Sequence, residues 1–350
     1  MIKFISDYIH KNTYIKSVFI YFIGTILLQG ISIVTIPIFT RLLSTEEYAI
    51  TILFRTWVSF FGVFIGLQVG GSIASARVNK EENEFKTYMS NIVILSIIGA
   101  IVVSLITYVF QSEISRLLSI DKMLISHVLL QAFGTSCAAL FTTYTIQTKM
   151  PKTNIIFSII VAISTVTLSL LLIYHMDTNK YLGKIYAGSL VNLFIIIYVI
   201  FYFLKVYSRH NILSDWKFSL ILGTPLIIHL LANIVIGQSD KIFLERMINL
   251  DAAGIYSVAY SIGTLALIFA EVTNKVWSPW YLDNTKMSNT KLINNSALKY
   301  SFFISFVFVA VIFVSPEIIK IMAPKEYWSG IPSLIILALS VYFQFLYRFP

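Results

Sequence analysis

Residues 233–260, NIVIGQSDKIFLERMINLDAAGIYSVAY, decide the fold class of this chain. The stretch reads as an apolar helix, yet it carries Asp240 and Lys241 side by side and then Glu245 and Arg246. It turns near residues 249–254 and resumes as a second apolar run. Ionisable side chains are costly at membrane depth, so they face a bundle interior or a watery cavity. The stretch therefore indicates a membrane protein whose helices surround a polar site.

A related pattern lies 205 residues earlier, in residues 37–50 (PIFTRLLSTEEYAI). At this offset four pairs of similar residues coincide: Arg41 with Arg246, Ser44 with Asn249, Glu46 with Asp251 and Ile50 with Ile255. The repeat predicts two similar halves. We expect an N-terminal lobe of six helices over residues 1–205. We also expect a C-terminal lobe over residues 206–350. Four helices are expected there against six in the first lobe, so the second lobe is expected to be incomplete.

The composition excludes a soluble domain and predicts an all-α, polytopic membrane protein. Hydrophobic residues make up 57% of the 350 residues and charged residues only 12%, with a mean hydropathy of +0.81, whereas soluble domains carry about 25% charged residues. The net charge of +9 does not indicate a nucleic-acid partner, because the cations are scattered through short loops. A single cysteine, Cys137, rules out a disulfide framework.

The apolar runs predict ten membrane-spanning helices, since about 20 residues are needed to cross the bilayer core. Their approximate limits are 17–40, 48–71, 90–110, 123–147, 154–174, 185–204, 218–239, 254–277, 300–321 and 328–347. The seventh helix is expected to continue to about Ile248. Because the first run is too long for a cleaved signal peptide, we expect it to remain as an anchor.

The distribution of lysine and arginine predicts that the N-terminus is cytoplasmic. With that orientation, 16 of the 26 basic residues lie in inner segments and 9 in outer segments, while Arg55 falls inside the second span. Basic residues are enriched on the cytoplasmic side of membrane proteins. The predicted location is therefore the inner (plasma) membrane, with many passes and no folded soluble domain.

Three ionisable positions inside the spans have two interpretations each. Arg55 lies about 10 Å along its helix from Tyr48, so its guanidinium either reaches back to the headgroups or faces a cavity. Lys241, with Asp240 beside it, is either an interfacial charge pair or part of the same cavity. His229 is either a neutral histidine hydrogen-bonded to Asn233 or a proton-coupling group.

Short motifs that mark nucleotide-binding, metal-binding or catalytic sites are missing from the sequence. The chain has no P-loop, HExxH, CxxC or GxSxG in a plausible context. We therefore expect no catalytic residues, no cofactor and no metal. Glu271 and Lys275 are one helical turn apart at the inner end of the eighth span, where Glu271 is a further candidate for coupling or gating.

Four segments resemble one known family, the oligosaccharide flippases of the polysaccharide-biosynthesis type. These belong to the multidrug/oligosaccharidyl-lipid/polysaccharide exporter superfamily. The segments are residues 38–48 (IFTRLLSTEEY), residues 66–77 at the exit of the second span, residues 238–260 and residues 277–280 (WSPW). Residues 238–260 carry the most specific similarity. The likeness in spacing extends over nearly the whole chain.

The resemblance implies two six-helix lobes around a central cavity. It also implies that the chain flips an undecaprenyl-pyrophosphate-linked oligosaccharide from the inner to the outer leaflet for surface polysaccharide or O-antigen assembly. Family members usually have twelve or more spans, so ten predicted spans leave either a short second lobe or a truncated product. The implied partners are the lipid-linked oligosaccharide, membrane lipid and other membrane proteins of polysaccharide assembly.

The cations of the chain suit the anionic head of such a substrate. Substrate-binding candidates are Arg41, Arg55, Lys241 and Arg246 in the outer half, with Arg77 at the inner mouth; coupling or gating candidates are His229, Asp240 and Glu271. One alternative is a cation-coupled multidrug exporter of the same fold, which would favour carboxylates and aromatics in its cavity. Others are a polytopic polysaccharide polymerase, which would need a large outer loop, and a non-catalytic assembly scaffold.

Overall fold

The computed structural model of the chain describes residues 13–205, 211–265 and 290–348, with seven single residues between 267 and 285. All regular secondary structure within these ranges is helical. The twelve α-helices are α1 Thr13–Leu42, α2 Thr45–Ile65, α3 Ile73–Asn79, α4 Glu82–Val109, α5 Gln111–Leu118, α6 Lys122–Gln147, α7 Pro151–Tyr174, α8 Tyr181–Leu204, α9 Ile212–Met247, α10 Leu250–Gly263, α11 Thr290–Met322 and α12 Ile331–Arg348. Short 3₁₀ helices occupy Val69–Ser72 and Lys325–Gly330. The predicted all-α class is confirmed.

Nine helices within the described ranges are long and apolar enough to cross a membrane. They correspond to nine of the ten predicted spans, and α9 reaches Met247, as the sequence predicted for the seventh helix. The predicted eighth span, residues 254–277, begins within α10, and most of its second half lies outside the described residues. The chain is therefore a multi-pass membrane protein.

The chain forms two compact units, and two of its helices contribute to both. The first unit contains Met1–Leu28 and Thr51–Ile242, and the second contains Gln29–Ile50 and Phe243–Pro350. Helix α1 therefore belongs to the first unit at its start and to the second at its end, and so does α9. The division of the chain into two lobes, residues 1–205 and 206–350, stays a prediction.

The core of the first unit is an aromatic cluster between α4, α6 and α8. Phe141 is fully buried, and its ring lies 5.3 Å from that of Tyr198 and 5.2 Å from that of Tyr202, both on α8. Phe85 of α4 stacks on Tyr144 at 5.9 Å. Edge and stacked arrangements at these distances favour fixed packing, so the cluster holds the three helices in register.

In the second unit, α10 and α12 pack together, and so do α11 and α12. Tyr327 of the second 3₁₀ helix is 1% exposed, and its ring meets the edge of the Tyr48 ring at 6.1 Å. Deeper in the unit, Ile304 and Phe308 of α11 pack with Val341 of α12. Residues 29–50 thus share a core with the C-terminal helices, although they lie far from them in sequence.

The breaks between helices repeat at the offset seen in the sequence. Helix α1 ends at Leu42 and α2 begins at Thr45, while α9 ends at Met247 and α10 begins at Leu250, so both boundaries are shifted by 205 residues. The caps also correspond: the Ser44 hydroxyl accepts from the Glu47 N–H at 3.1 Å, and the Asn249 side chain accepts from the Ala252 N–H at 2.8 Å. Such caps satisfy the open N–H groups of a first helical turn. This repeat supports the predicted duplication.

Candidate functional site

Three cationic side chains from three helices come together in the first unit. They are Arg55 of α2, Lys184 of α8 and Lys241 of α9, and the charge of Arg55 acts on both ammonium groups. Each lies on a helix able to span a membrane. At the centre of a spanning helix a cation costs roughly 3 kcal/mol on insertion scales. Arg55 lies near the centre of α2, whereas Lys184 lies near the start of α8. We call these three residues the cationic cluster.

Gln238 positions the cluster on the α9 side. Lys241 is only 5% exposed, and its Nζ donates to Oε1 of Gln238 at 2.7 Å. The same oxygen accepts from the buried Thr56 hydroxyl of α2 at 3.3 Å. A buried ammonium needs such partners because burial without hydrogen bonds is costly. Gln238 therefore links α2 to α9 at the depth of the cluster without adding a negative charge.

Lys184 joins the cluster from α8. Its side chain is partly buried, and its Nζ lies 3.4 Å from the hydroxyl of the buried Thr51 of α2. The sequence analysis counted Lys184 as a loop residue before the sixth span. The signal that could have found it is the apolar Tyr181–Leu182 pair that precedes it, since α8 starts at Tyr181. Lys184 is thus a site residue that the sequence analysis missed.

The cluster carries an excess of positive charge. Its nearest carboxylate on α9 is the exposed Asp240, whose charge acts on Lys241. When all four groups are ionised, the three cations outnumber this one anion. Arg55 is exposed, whereas Lys241 is buried. A positive field of this kind attracts an anion to the exposed guanidinium, and it acts strongly where the dielectric constant is low.

Arg41 belongs to the second unit. Its guanidinium donates to the carbonyl of Ile321 at 2.7 Å and to that of Met322 at 3.4 Å. The neighbouring Thr40 hydroxyl donates to the same Met322 carbonyl at 3.0 Å. These are the last carbonyls of α11, where a cation is favourable because of the helix dipole. The structure thus gives Arg41 a helix-capping position.

The remaining substrate-binding candidates also have identifiable contacts. Arg246, in the last turn of α9, lies 3.9 Å from the Glu245 carboxylate. Arg77, at the end of α3, places its guanidinium 5.4 Å from the centre of the Phe85 ring. Cations over aromatic faces are attracted at this distance. Binding of a substrate by Arg41, Arg77 and Arg246 stays a prediction.

The structure describes two of the three coupling candidates. His229 is exposed, and its Nε2 lies 3.1 Å from Nδ2 of Asn233, the hydrogen-bonded alternative of the two interpretations. Asp240 is exposed beside Lys241. Glu271 lies outside the described residues. Only Asp240 of these three is seen next to the cationic cluster.

A buried carboxylate that the sequence analysis did not select lies in the first turn of α9. Asp215 is 3% exposed; its Oδ1 is 2.9 Å from Nζ of Lys80, and its Oδ2 accepts from Asn91 at 2.8 Å. The Trp216 indole donates to the Asn91 carbonyl at 2.8 Å. Buried charges require such pairing. The network fixes the start of α9 to α3 and α4.

Solved structures of multidrug transporters share this fold. A MATE family transporter of the MOP superfamily, seen in an inward-facing conformation, aligns over 91% of this chain and 78% of its own, with 16% identity and a TM-score of 0.61. A MATE structure in complex with MaL6 aligns over 95% of this chain and 83% of its own, with 15% identity and a TM-score of 0.63. Identities this low establish the fold alone.

Sequence comparison identifies the family. A protein of the Lsg locus of Haemophilus influenzae is 23% identical in an alignment of 286 residues, which covers 77% of this chain and 66% of that relative. The chain thus spans slightly less than two thirds of the curated relative it matches. The pattern of the polysaccharide biosynthesis protein family matches residues 14–285, well over half of the chain. The resemblance seen in the sequence is confirmed, and the chain belongs to the polysaccharide biosynthesis protein family.

Proposed function

We propose that this protein flips a lipid-linked oligosaccharide, carried on undecaprenyl pyrophosphate, from the inner to the outer leaflet of the plasma membrane. The product would serve surface polysaccharide assembly, such as O-antigen. Membership of the polysaccharide biosynthesis family and the MATE-type fold support a membrane transport role. The substrate would come from, and be passed to, other membrane proteins of the same assembly.

The cationic cluster is the observation that carries this proposal. A pyrophosphate head must cross an apolar layer in which its charge is poorly solvated. Arg55, Lys184 and Lys241 offer compensating charge from three spanning helices of one unit. Arg55 presents an exposed fork of donors that suits phosphate oxygens. The cluster therefore lowers the cost of moving the head, while the prenyl tail stays in lipid.

Residues around the cluster also allow the pyrophosphate head to leave. Gln238 and Thr51 surround the two lysines with neutral oxygen atoms, so positive charge is retained for the substrate. Asp240 tempers this field from beside Lys241. We assign transient binding to Arg55, Lys184 and Lys241, and attenuation to Asp240. The remaining candidates, Arg41, Arg77, Arg246, His229 and Glu271, are secondary in this scheme.

The charge of the cluster favours the flippase over the first alternative. A cation-coupled multidrug exporter would favour carboxylates around its cargo, whereas this cluster has three cations to one carboxylate. We further propose that the N-terminus is cytoplasmic and that residues 1–205 and 206–350 act as two lobes. The basis is the bias in lysine and arginine, together with helix breaks that recur after 205 residues.

Reconstituted vesicles test the proposal. The full chain is inserted into liposomes with a fluorescent prenyl-diphosphate oligosaccharide, and a membrane-impermeant reagent reports the label that reaches the opposite leaflet. We expect Arg55→Ala to abolish flipping and Arg55→Lys to retain part of it, since charge matters more than fork geometry here. Arg116→Ala is the control, because Arg116 is exposed on α5 and pairs with Glu113.

Cells provide a second measurement. The wild-type chain should restore surface polysaccharide in a strain that lacks its own flippase, and the double variant Lys184→Gln/Lys241→Gln should not, at equal membrane abundance. If Arg55→Ala and the double lysine variant both flip the substrate as fast as the wild type does, the cluster does not bind the head. The proposal would then fail.

A further inference from the structure

Helices α7 and α8 of the first unit are in close contact near the end of α7 and the start of α8. Gly183, near the start of α8, is packed so closely that a Cβ there would lie 2.9 Å from the backbone nitrogen of Ile173, near the end of α7. Only a residue without a side chain permits this approach.

An apolar cleft of about 590 Å³ lies between α7 and α8. Ile156, Ile160 and Ser164 line it from α7, and Val191, Phe194 and Tyr198 line it from α8. The stacked rings of Phe157 and Tyr198, 6.0 Å apart, narrow it on one side. Its rim is open, since Ile160 is 58% and Phe194 67% exposed. Both helices are long and apolar enough to span a membrane, and the apolar lining of the cleft suits hydrocarbon better than water.

The dimensions of the cleft fit one hydrocarbon chain of one leaflet. Its lining on α7 runs from Thr153 to Leu168, about 22 Å of helix at 1.5 Å per residue. One leaflet contributes about 15 Å of hydrocarbon. An acyl chain can therefore lie along the cleft with its carboxyl end near one end of α7.

Basic side chains lie at the N-terminal end of α7, where the lining of the cleft begins. Lys149 and Lys152 are exposed, and Lys152 directly precedes Thr153, the first residue of the lining. Among the described residues, neither lysine takes part in an ion pair. The N-terminus of α7 adds its own partial positive charge. Basic residues beside gaps between membrane helices bind anionic lipid headgroups.

We propose that the cleft between α7 and α8 binds one acyl chain of an anionic bilayer phospholipid, with its phosphate beside Lys149 and Lys152. This site is separate from the cationic cluster and does not depend on the proposed transport. A bound chain fills the cleft, since an unfilled gap forfeits dispersion energy. The lipid thus acts as a structural ligand of the first unit.

Native mass spectrometry of the purified full chain tests this site. The probes are phosphatidylglycerol and phosphatidylcholine with identical chains, added in equal amounts to delipidated protein. The wild type should retain one phosphatidylglycerol in preference to phosphatidylcholine. Ser164→Trp, which fills the cleft, should lower this retention by about tenfold, which corresponds to the loss of about two buried methylene groups.

Two further variants separate this effect from misfolding. Ile163→Trp is the matched control, because Ile163 is 51% exposed on α7 but does not line the cleft, and it should bind lipid as the wild type does. Lys149→Gln/Lys152→Gln leaves the cleft intact and should abolish the preference for phosphatidylglycerol. The proposal is wrong if Ser164→Trp binds lipid like Ile163→Trp. It is also wrong if a prenyl phosphate displaces phosphatidylglycerol from the cleft, which would assign the cleft to the substrate tail.

Discussion

Ala49 and Gly254, which are 205 positions apart in the sequence, pack against each other in the second unit. A Cβ on Gly254 would lie 3.5 Å from the Cβ of Ala49, and it would collide with the backbone carbonyl of Thr45. In the same contact the Thr45 hydroxyl donates to the Asp251 carboxylate. Equivalent positions of a repeat meet each other where the symmetry axis passes. The contact therefore supports a duplicated chain whose repeats are related by a two-fold axis.

Gly254→Ala should destabilise the protein, although alanine is the better helix former. The obstacle is a backbone carbonyl, which cannot move away as a flexible side chain can, and overpacking of this kind costs about 1–3 kcal/mol. Gly237→Ala is the control, because nothing lies within 4 Å of the added methyl group. It should be neutral or stabilising by up to about 1 kcal/mol. Thermal unfolding in detergent measures both, and equal melting temperatures would contradict the contact.

Removal of the Asp215 carboxylate should be the most destabilising of the charge changes. Asp215→Ala leaves Lys80 and Asn91 without their shared partner, and such a loss costs roughly 3 kcal/mol in a fully buried pair. The Lys80 side chain is 24% exposed, so we expect about 2 kcal/mol. Thermal unfolding checks the value.

The exposed pair Lys86–Glu82 is the control for Asp215. These residues are 38% and 72% exposed, so Lys86→Ala should cost no more than about 0.5 kcal/mol.

A double-mutant cycle tests the coupling between Lys80 and Asp215. The double variant Lys80→Met/Asp215→Leu should lose less stability than Lys80→Met alone and Asp215→Leu alone lose in sum. Additive losses would show that the ion pair does not couple the two positions.

Gln238→Glu should change stability and flipping in opposite directions. The new carboxylate would pair with Lys241, whose Nζ is already 2.7 Å from Oε1 of Gln238, so the melting temperature should rise. The same charge cancels part of the positive field, and flipping should fall severalfold. Asp240→Asn is the reciprocal control and should strengthen substrate retention. If flipping and stability fall together, Gln238 has only a structural role.

Arg41→Gln should loosen the end of α11. Two carbonyls, those of Ile321 and Met322, lose a charged donor, with an expected cost of about 1 kcal/mol. Faster amide hydrogen exchange in residues 319–323 would report it. Arg116→Gln, at a side chain that is 80% exposed, should leave this exchange unchanged. Lost flipping with unchanged exchange would instead favour the predicted substrate-binding role of Arg41.

Thiol labelling tests the orientation. Ser214 and Thr178 are both exposed, and each is replaced by cysteine after Cys137→Ala. In intact cells an impermeant reagent should label the Thr178→Cys variant and not the Ser214→Cys variant, because the bias in basic residues places the Thr178 loop outside. The opposite pattern would invert the topology.

The helices followed from the sequence because their signals are local. Long apolar runs fixed nearly every span, and the caps at Ser44 and Asn249 mark two helix starts. The presence of Arg55 and Lys241 in one site was inferred from depth alone. The charge of Arg55 acts on Lys241 in the structure, and a shared substrate site stays a prediction.

Other contacts depend on which helices become neighbours, and one sequence does not encode that in any local pattern. Lys184 joins Arg55 only because α8 packs near α2, and Asp215 is buried only because α9 starts against α3 and α4. Arg41 was a substrate-binding candidate because it is a cation of the outer half. Its guanidinium instead contacts the carbonyl of Ile321 in α11, 280 positions further along the chain. Such long-range partners required the structure.

The hydrogen bond between Thr56 and Gln238 joins residues 182 positions apart, and this distance has a consequence for biosynthesis. At about 5–20 residues per second, the ribosome needs about 9 to 36 s to progress from one to the other. During this time α2, with Arg55 and Thr56, is in the bilayer before its partner exists. Until α9 is made, the charged helix α2 must therefore pack against lipid, lipid headgroups or an insertion factor. Assembly of the site is completed only when α9 arrives.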